Sequence, residues 1–124
     1  MAQQPPQFPG YVFDLDGTIY LGDHLLPGAK RTVDTLRRTG ARLVFLSNKP
    51  VESRATYAAK LTRLGIRTEV EDVINSTWVL VQWLTREAPG SRLFVIGEGP
   101  LLAELAEADG ALTQLYTREP GDTT

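Results

Sequence analysis

Cysteine is absent from all 124 residues, so the chain forms no disulfide and offers no thiolate to a metal. No apolar run approaches the roughly 20 residues that a membrane-spanning helix needs. The formal net charge is only −2, which argues against an electrostatic grip on nucleic acid or on an anionic membrane. Lysine is scarce: Lys30, Lys49 and Lys60 are the only ones, and none follows residue 60. Histidine occurs once, at His24. The stretch Met1 to Gly10 is rich in Gln and Pro and lacks the basic and apolar regions of a signal peptide. Residues 1–10 therefore read as a flexible tail, and a cytoplasmic protein is expected. No internal repeat is present. Hydrophobic residues at 42% and charged residues at 23% are globular values, and the length suits one ordinary domain with a modest core.

What the chain does have is an apolar strand that runs into two acids: Tyr11-Val12-Phe13-Asp14-Leu15-Asp16-Gly17-Thr18-Ile19-Tyr20. Burying charge costs several kcal/mol unless the charge is paired or holds a metal. The open end of an α/β sheet, where ligands bind beyond the carboxyl ends of strands, is a natural place for such a pair. Alternate residues of a strand point the same way, so Asp14 and Asp16 can converge on one cavity. Two close carboxylates repel, and one becomes hard to ionise unless a cation intervenes. Mg2+ accepts few carboxylates and completes its shell with water or phosphate oxygens. One Asp can then act as nucleophile while the other moves a proton. Gly17 lets the chain turn sharply where a side chain would block the site. The plainer alternative is a solvated turn that merely ends a strand.

The rest of the pattern is α/β. Tyr11 to Asp14 is the first strand. Ile19-Tyr20 and Leu25-Leu26 flank Gly22-Asp23 in a short hairpin, with His24 as an exposed turn residue at its tip. Pro27-Gly28 opens a helix through about Thr39, with Ala29, Val33 and Leu36 at helical spacing and Gly40 as its stop. Ala41 to Leu46 is a second buried strand, ending in Ser47-Asn48. A helix over about Val51 to Leu64 draws its apolar positions from Ala55, Ala58, Ala59, Leu61 and Leu64. Glu52 and Arg54 fall on solvated helix. Val73-Ile74 is a third strand, and Ser76 is a plausible N-cap for a helix through about Glu87. Trp78 and Trp83 read as packing residues on that helix. Ala88-Pro89-Gly90-Ser91 is the clearest break in composition and the expected domain boundary. Arg92 to Ile96 is a strand, and Pro100 suits the first turn of a helix through about Ala108. Gly97-Glu98-Gly99 is too short a signal for dinucleotide binding. Ala111 to Thr113 starts another strand. Strand and helix alternate, which implies parallel crossovers and a sheet with helices on both faces.

Asp14-Leu15-Asp16-Gly17-Thr18 resembles the first motif of the haloacid dehalogenase (HAD) superfamily. Its extension Ile19-Tyr20-Leu21-Gly22 looks like the class IIA branch of NagD-like and 4-nitrophenylphosphatase-like phosphatases, whose large cap follows the second motif. Leu43-Val44-Phe45-Leu46-Ser47-Asn48 is similar to that second motif. Phe94-Val95-Ile96-Gly97-Glu98-Gly99-Pro100-Leu101 is similar to the early cap. The resemblance implies a Rossmann-like HAD core, incomplete here, over residues 11–88, and a partial α/β cap over 89–124. It implies a Mg2+-dependent phosphomonoester hydrolase acting on a small molecule. Asp14 would attack phosphorus and become an aspartyl phosphate. Asp16 would protonate the leaving oxygen and later activate water. Asp14 through its carboxylate and Asp16 through its backbone carbonyl would ligate Mg2+. Ser47 and Asn48 would hold the phosphoryl oxygens, with Gly17 beside them.

Two further motifs of the superfamily, a phosphoryl-clamping lysine and a later pair of acids, find no match. Lys49 neighbours the second motif but reads as an exposed loop cation, and Gly121-Asp122 follows no apolar strand. The chain is therefore expected to be the N-terminal portion of a larger enzyme or a truncated relative, impaired in isolation. Loss of one oxyanion donor typically costs roughly 10²–10³ in rate. In the resembling fold the first strand lies mid-sheet, so here its edge is expected to be apolar, unpaired and prone to self-association. Two other classes are distinguishable. A receiver-type signalling domain needs adjacent acids after strand one and a phosphoacceptor Asp ending strand three; here the acids are spaced by one and the third strand ends in Asn75-Ser76. A non-catalytic remnant or partner-binding fragment is the remaining alternative.

Overall fold

The computed structural model describes residues 7–48, 52–97 and 99–107, together with the backbone of 112–118. Lys49, Glu98 and Gly121-Asp122 lie outside the described residues. In chain order the elements are β1 (Gly10–Asp14), β2 (Tyr20–Leu21), β3 (His24–Leu25), α1 (Ala29–Arg38), β4 (Arg42–Ser47), α2 (Arg54–Leu64), a single 3-10 turn (Val70–Asp72), β5 (Val73–Asn75), α3 (Ser76–Glu87), β6 (Ser91–Ile96), α4 (Gly99–Ala106) and β7 (Leu112–Arg118).

β1, β4 and β5 form a parallel sheet in that order, with Phe13 opposite Phe45, Asp14 opposite Leu46 and Ser47 opposite Asn75. β6 and β7 form a second parallel pair, and β2 and β3 a small antiparallel hairpin. The alternation of β4 is a period-2 pattern: Leu43, Phe45 and Ser47 are buried and the residues between them are not. Tyr11 stacks on Phe13 and Phe13 on Phe45, with centroids 6.5 and 6.2 Å apart. Ala29 and Val33 of α1 and Tyr57, Ala58 and Leu61 of α2 join Phe45 and Val73 in one apolar cluster. Val12, on the other side of β1, is 68% exposed. Among the described residues β1 pairs only with β4, so it is the edge of the sheet, as the sequence suggested.

Several local details differ from expectation. α2 begins at Arg54, after Ser53, whose hydroxyl accepts from the Thr56 amide. Its buried stripe is Tyr57, Ala58 and Leu61, while Ala55 and Ala59 face outward. Asn75, not Ser76, caps α3: its Oδ1 accepts from the Trp78 amide at 2.7 Å. Asn75 still has extended backbone as the last residue of β5, the conformation an N-cap requires. α3 uses one apolar side only. Leu84 is buried, but Val79 and Trp83 are each 51% exposed, so Trp83 is not a packing residue among the described side chains. Arg54 is not a solvated helix cation. Its Nε donates to the Val73 carbonyl at 2.6 Å, a terminal nitrogen donates to the Val70 carbonyl at 3.0 Å, and the guanidinium lies over Trp78. Burial lowers its pKa from the ordinary arginine value.

Candidate active site

Parallel strands present their carboxyl ends at one edge of the sheet. Asp14 is the last residue of β1 and Ser47 the last of β4, and the register sets them one position apart. A cavity of about 460 Å³ opens there. Asp14, Asp16, Gly17, Ser47 and Asn48 all line it. The candidate residues, far apart in sequence, thus share one pocket. Asp14, Asp16 and Asn48 are exposed, whereas Ser47 is buried. Tyr20, Leu21 and Tyr57 supply the remaining wall with Leu15.

The loop after β1 is built on one carbonyl. Leu15 is buried, and its oxygen accepts from the amides of Thr18, Ile19 and Tyr20 at 3.1, 2.9 and 3.3 Å. Asp16 forms an isolated bridge with Tyr20. The Leu15 amide donates to Asp14 Oδ1 at 2.9 Å, which restrains that carboxylate. Gly17 has φ 80°, a left-handed conformation that side chains disfavour, but a Cβ there would meet nothing within 4 Å. The sharp turn expected at Gly17 is thus present, and its open side faces the pocket it lines. The Gly17 amide donates to the Tyr20 carbonyl at 2.8 Å, which shapes the loop.

Two acids line the pocket, and none of its described lining residues is basic. The negative field shows on Tyr20, whose hydroxyl is pushed up to about 12 by burial first, then by Tyr57, Asp16 and Asp14. Carboxylate oxygens suit a hard divalent cation, which takes one or two of them and fills the rest of its shell with water and phosphate oxygens. Asp14 and Asp16 fit that donor set as part of a site. Among the described residues no group of three or more His, Asp or Glu side chains could hold a metal. In the first turn of α2 the Thr56 amide donates to the Ser53 hydroxyl and the Arg54 amide to Glu104. His24 is exposed on the hairpin and lines no part of the pocket. Tyr20 and Tyr57 are the pocket residues that sequence reasoning missed. Tyr57 opens the buried stripe of α2, and a stripe phased from it rather than from Ala55 would have turned it inward.

An aspartate-ended parallel sheet with a hydroxyl–amide pair on the adjacent strand defines an α/β enzyme-type site. Residues 11–111 match the family model of haloacid dehalogenase-like hydrolases, and the chain belongs to that family. Within it, the chain matches the N-terminal portion of the NagD-like and 4-nitrophenylphosphatase-like phosphatases. A sugar phosphatase, AraL, of Bacillus subtilis is 42% identical over 96 residues, covering 77% of this chain and 35% of that protein. The structure of a p-nitrophenyl phosphatase from Archaeoglobus fulgidus superposes with a TM-score of 0.79 at 27% identity, covering 91% of this chain and 41% of that one. A glycerol phosphate phosphatase from Mycobacterium tuberculosis, in complex with magnesium, superposes with a TM-score of 0.69 at 29% identity over 88% of this chain and 31% of that one. The chain therefore spans about a third of the length of the curated relative it matches. No helix among the described residues is long and apolar enough to cross a membrane.

Proposed function

We propose that this chain carries the nucleophile half of a Mg2+-dependent phosphomonoesterase that works through an aspartyl phosphate. The observation that carries the reading is the convergence of Asp14, Asp16, Ser47 and Asn48 on one cavity. An Asp14 carboxylate oxygen attacks phosphorus, and the bond from phosphorus to the leaving oxygen breaks. Asp16 gives its proton to that oxygen. Asp16 then takes a proton from water as the water attacks phosphorus, and the bond to Asp14 breaks to release inorganic phosphate. The Ser47 hydroxyl and the Asn48 amide donate to the phosphoryl oxygens. The Asp14 carboxylate and the Asp16 carbonyl would hold Mg2+, which would supply charge neutralisation for the phosphoryl group.

The substrate is a small phosphomonoester, in keeping with the sugar and glycerol phosphates in the names of its relatives. Nucleic acid and membranes are not partners on this reading, and the protein works in the cytoplasm. Residues 11–88 are assigned to the core and 89–124 to the start of a cap. Because none of the pocket's described lining residues is basic, this chain alone turns over slowly; one missing oxyanion donor costs roughly 10²–10³. The same lack favours a second reading, a non-catalytic partner-binding fragment. Hydrolysis of 4-nitrophenyl phosphate with Mg2+ separates them. Slow turnover that Asp14→Asn and chelation both abolish is the expected result. Equal rates for the wild type and Asp14→Asn would sink the enzymatic reading.

A further inference from the structure

α2 meets the β2–β3 hairpin along one side. Tyr57, Lys60 and Arg63 recur every three residues and so share a helix face. Tyr57 lines the cavity. Lys60 Nζ lies 3.9 Å from the centroid of the Tyr20 ring. A terminal nitrogen of Arg63 is 3.9 Å from Asp23 Oδ1 in the hairpin loop. Arg63 and Asp23 are both well exposed, so that pair contributes little by itself. Lys60 is half-buried, and the ring beneath it is almost wholly so. Tyr20 in turn lines the cavity with Asp14 and Asp16 and is bound to the acid loop through the Leu15 carbonyl.

We propose that Lys60 is a positioning residue for the candidate phosphate site: its ammonium, seated on the Tyr20 ring, ties the hairpin to α2 and fixes the pocket wall beside Asp14 and Asp16. The face of an aromatic ring attracts a cation, and Tyr20, raised to about 12, remains a neutral phenol under ordinary conditions. The contact is therefore cation–π, not an ion pair, and either a lysine or an arginine cation on its long stem can make it.

Hydrogen exchange reads the tether without a ligand. The Gly17 amide, bonded to the Tyr20 carbonyl, and the Leu26 amide, bonded to the Ile19 carbonyl, report on the hairpin. Lys60→Met keeps the stem and drops the charge, and should speed their exchange about two- to fivefold; Lys60→Arg should restore protection. In a Tyr20→Leu background Lys60→Met should add nothing. A second arm rests on the phosphatase reading: with Mg2+ present, inorganic phosphate should bind Lys60→Met about two- to fivefold more weakly than the wild type or Lys60→Arg. Unchanged exchange in Lys60→Met overturns the proposal. So does an undiminished Lys60→Met effect in the Tyr20→Leu background; should Tyr20→Leu fail to fold, the Met-against-Arg comparison decides. A wild-type chain that binds no phosphate overturns the phosphatase reading instead, while the exchange arm still decides the role of Lys60.

Discussion

Asn75 Nδ2 donates to Glu104 Oε1 at 3.4 Å, which joins the end of β5 to α4 beside the second sheet. Asn75 is completely buried, and its two polar ends are both used, one on Glu104 and one on the Trp78 amide. Glu104 also accepts from the Arg54 amide at 3.5 Å. A single carboxylate thereby links α2, the β5–α3 junction and α4. Asn75→Ala should destabilise the chain by about 1–2 kcal/mol, through the lost cap and the carboxylate left short of a partner. Glu104→Gln keeps an acceptor and should cost less than Glu104→Ala. Urea unfolding of the singles and of the Asn75→Ala/Glu104→Ala double is the check. Strict additivity would mean the two residues do not interact.

Asp16 as general acid makes a leaving-group prediction. Nitrophenolate departs readily without a proton, whereas a sugar or glycerol alkoxide does not. Asp16→Asn should therefore slow the first release of leaving group, read in a single turnover, by roughly 10²–10⁴ for an alkyl phosphate and by much less for 4-nitrophenyl phosphate. The ratio of the two rates in wild type and variant is the measurement. An equal loss on both substrates in that first release would argue against Asp16 as the acid.

Tyr20 gives stability a dependence on alkaline pH. Its hydroxyl ordinarily titrates near 10.0 and is raised to about 12 in the fold, by burial first and then by Tyr57, Asp16 and Asp14. Between those values the folded state holds a proton that the unfolded state has lost, so stability falls as pH rises. The contribution is fully present below pH 10 and is lost as pH approaches 12. Tyr20→Phe should flatten that limb of the stability curve. Denaturation midpoints from pH 8 to about 12 test the sign, and a variant curve parallel to the wild type would refute it.

The edge strand β1 makes an association prediction. Phe8 is 55% and Val12 68% exposed, and among the described residues β1 has one strand partner. Unpaired apolar edges template association, and natural edges are blunted by charge. Sedimentation should show a concentration-dependent rise in mass for the wild type and a shift toward monomer for Val12→Lys. A monomeric wild type at all concentrations would dispose of the idea.

Period and punctuation made most of the fold legible. β4 alternates, α1 repeats Ala29, Val33 and Leu36, and Gly22-Asp23 marks the hairpin. The meeting of Asp14 with Ser47 followed from parallel pairing, since both end their strands. Contacts between distant elements were not legible. Nothing near Arg54 in sequence announces the Val70 and Val73 carbonyls, and nothing near Lys60 announces Tyr20. Asn75 and Ser76 are both good caps, and only the extended backbone and complete burial of Asn75 decide between them. The sharp turn at Gly17 was legible, because a glycine after a strand-ending acid pair marks one.

Among the described residues, the strand that delivers Asp14 has no strand partner along one flank. Adjacent strands lie about 4.8 Å apart, so whatever docks along that flank stands one strand-width from the backbone of the proposed nucleophile. A neighbour there, whether more of the same polypeptide or a second molecule, would set the aim of the carboxylate directly, making chemistry at this pocket a property of the company β1 keeps.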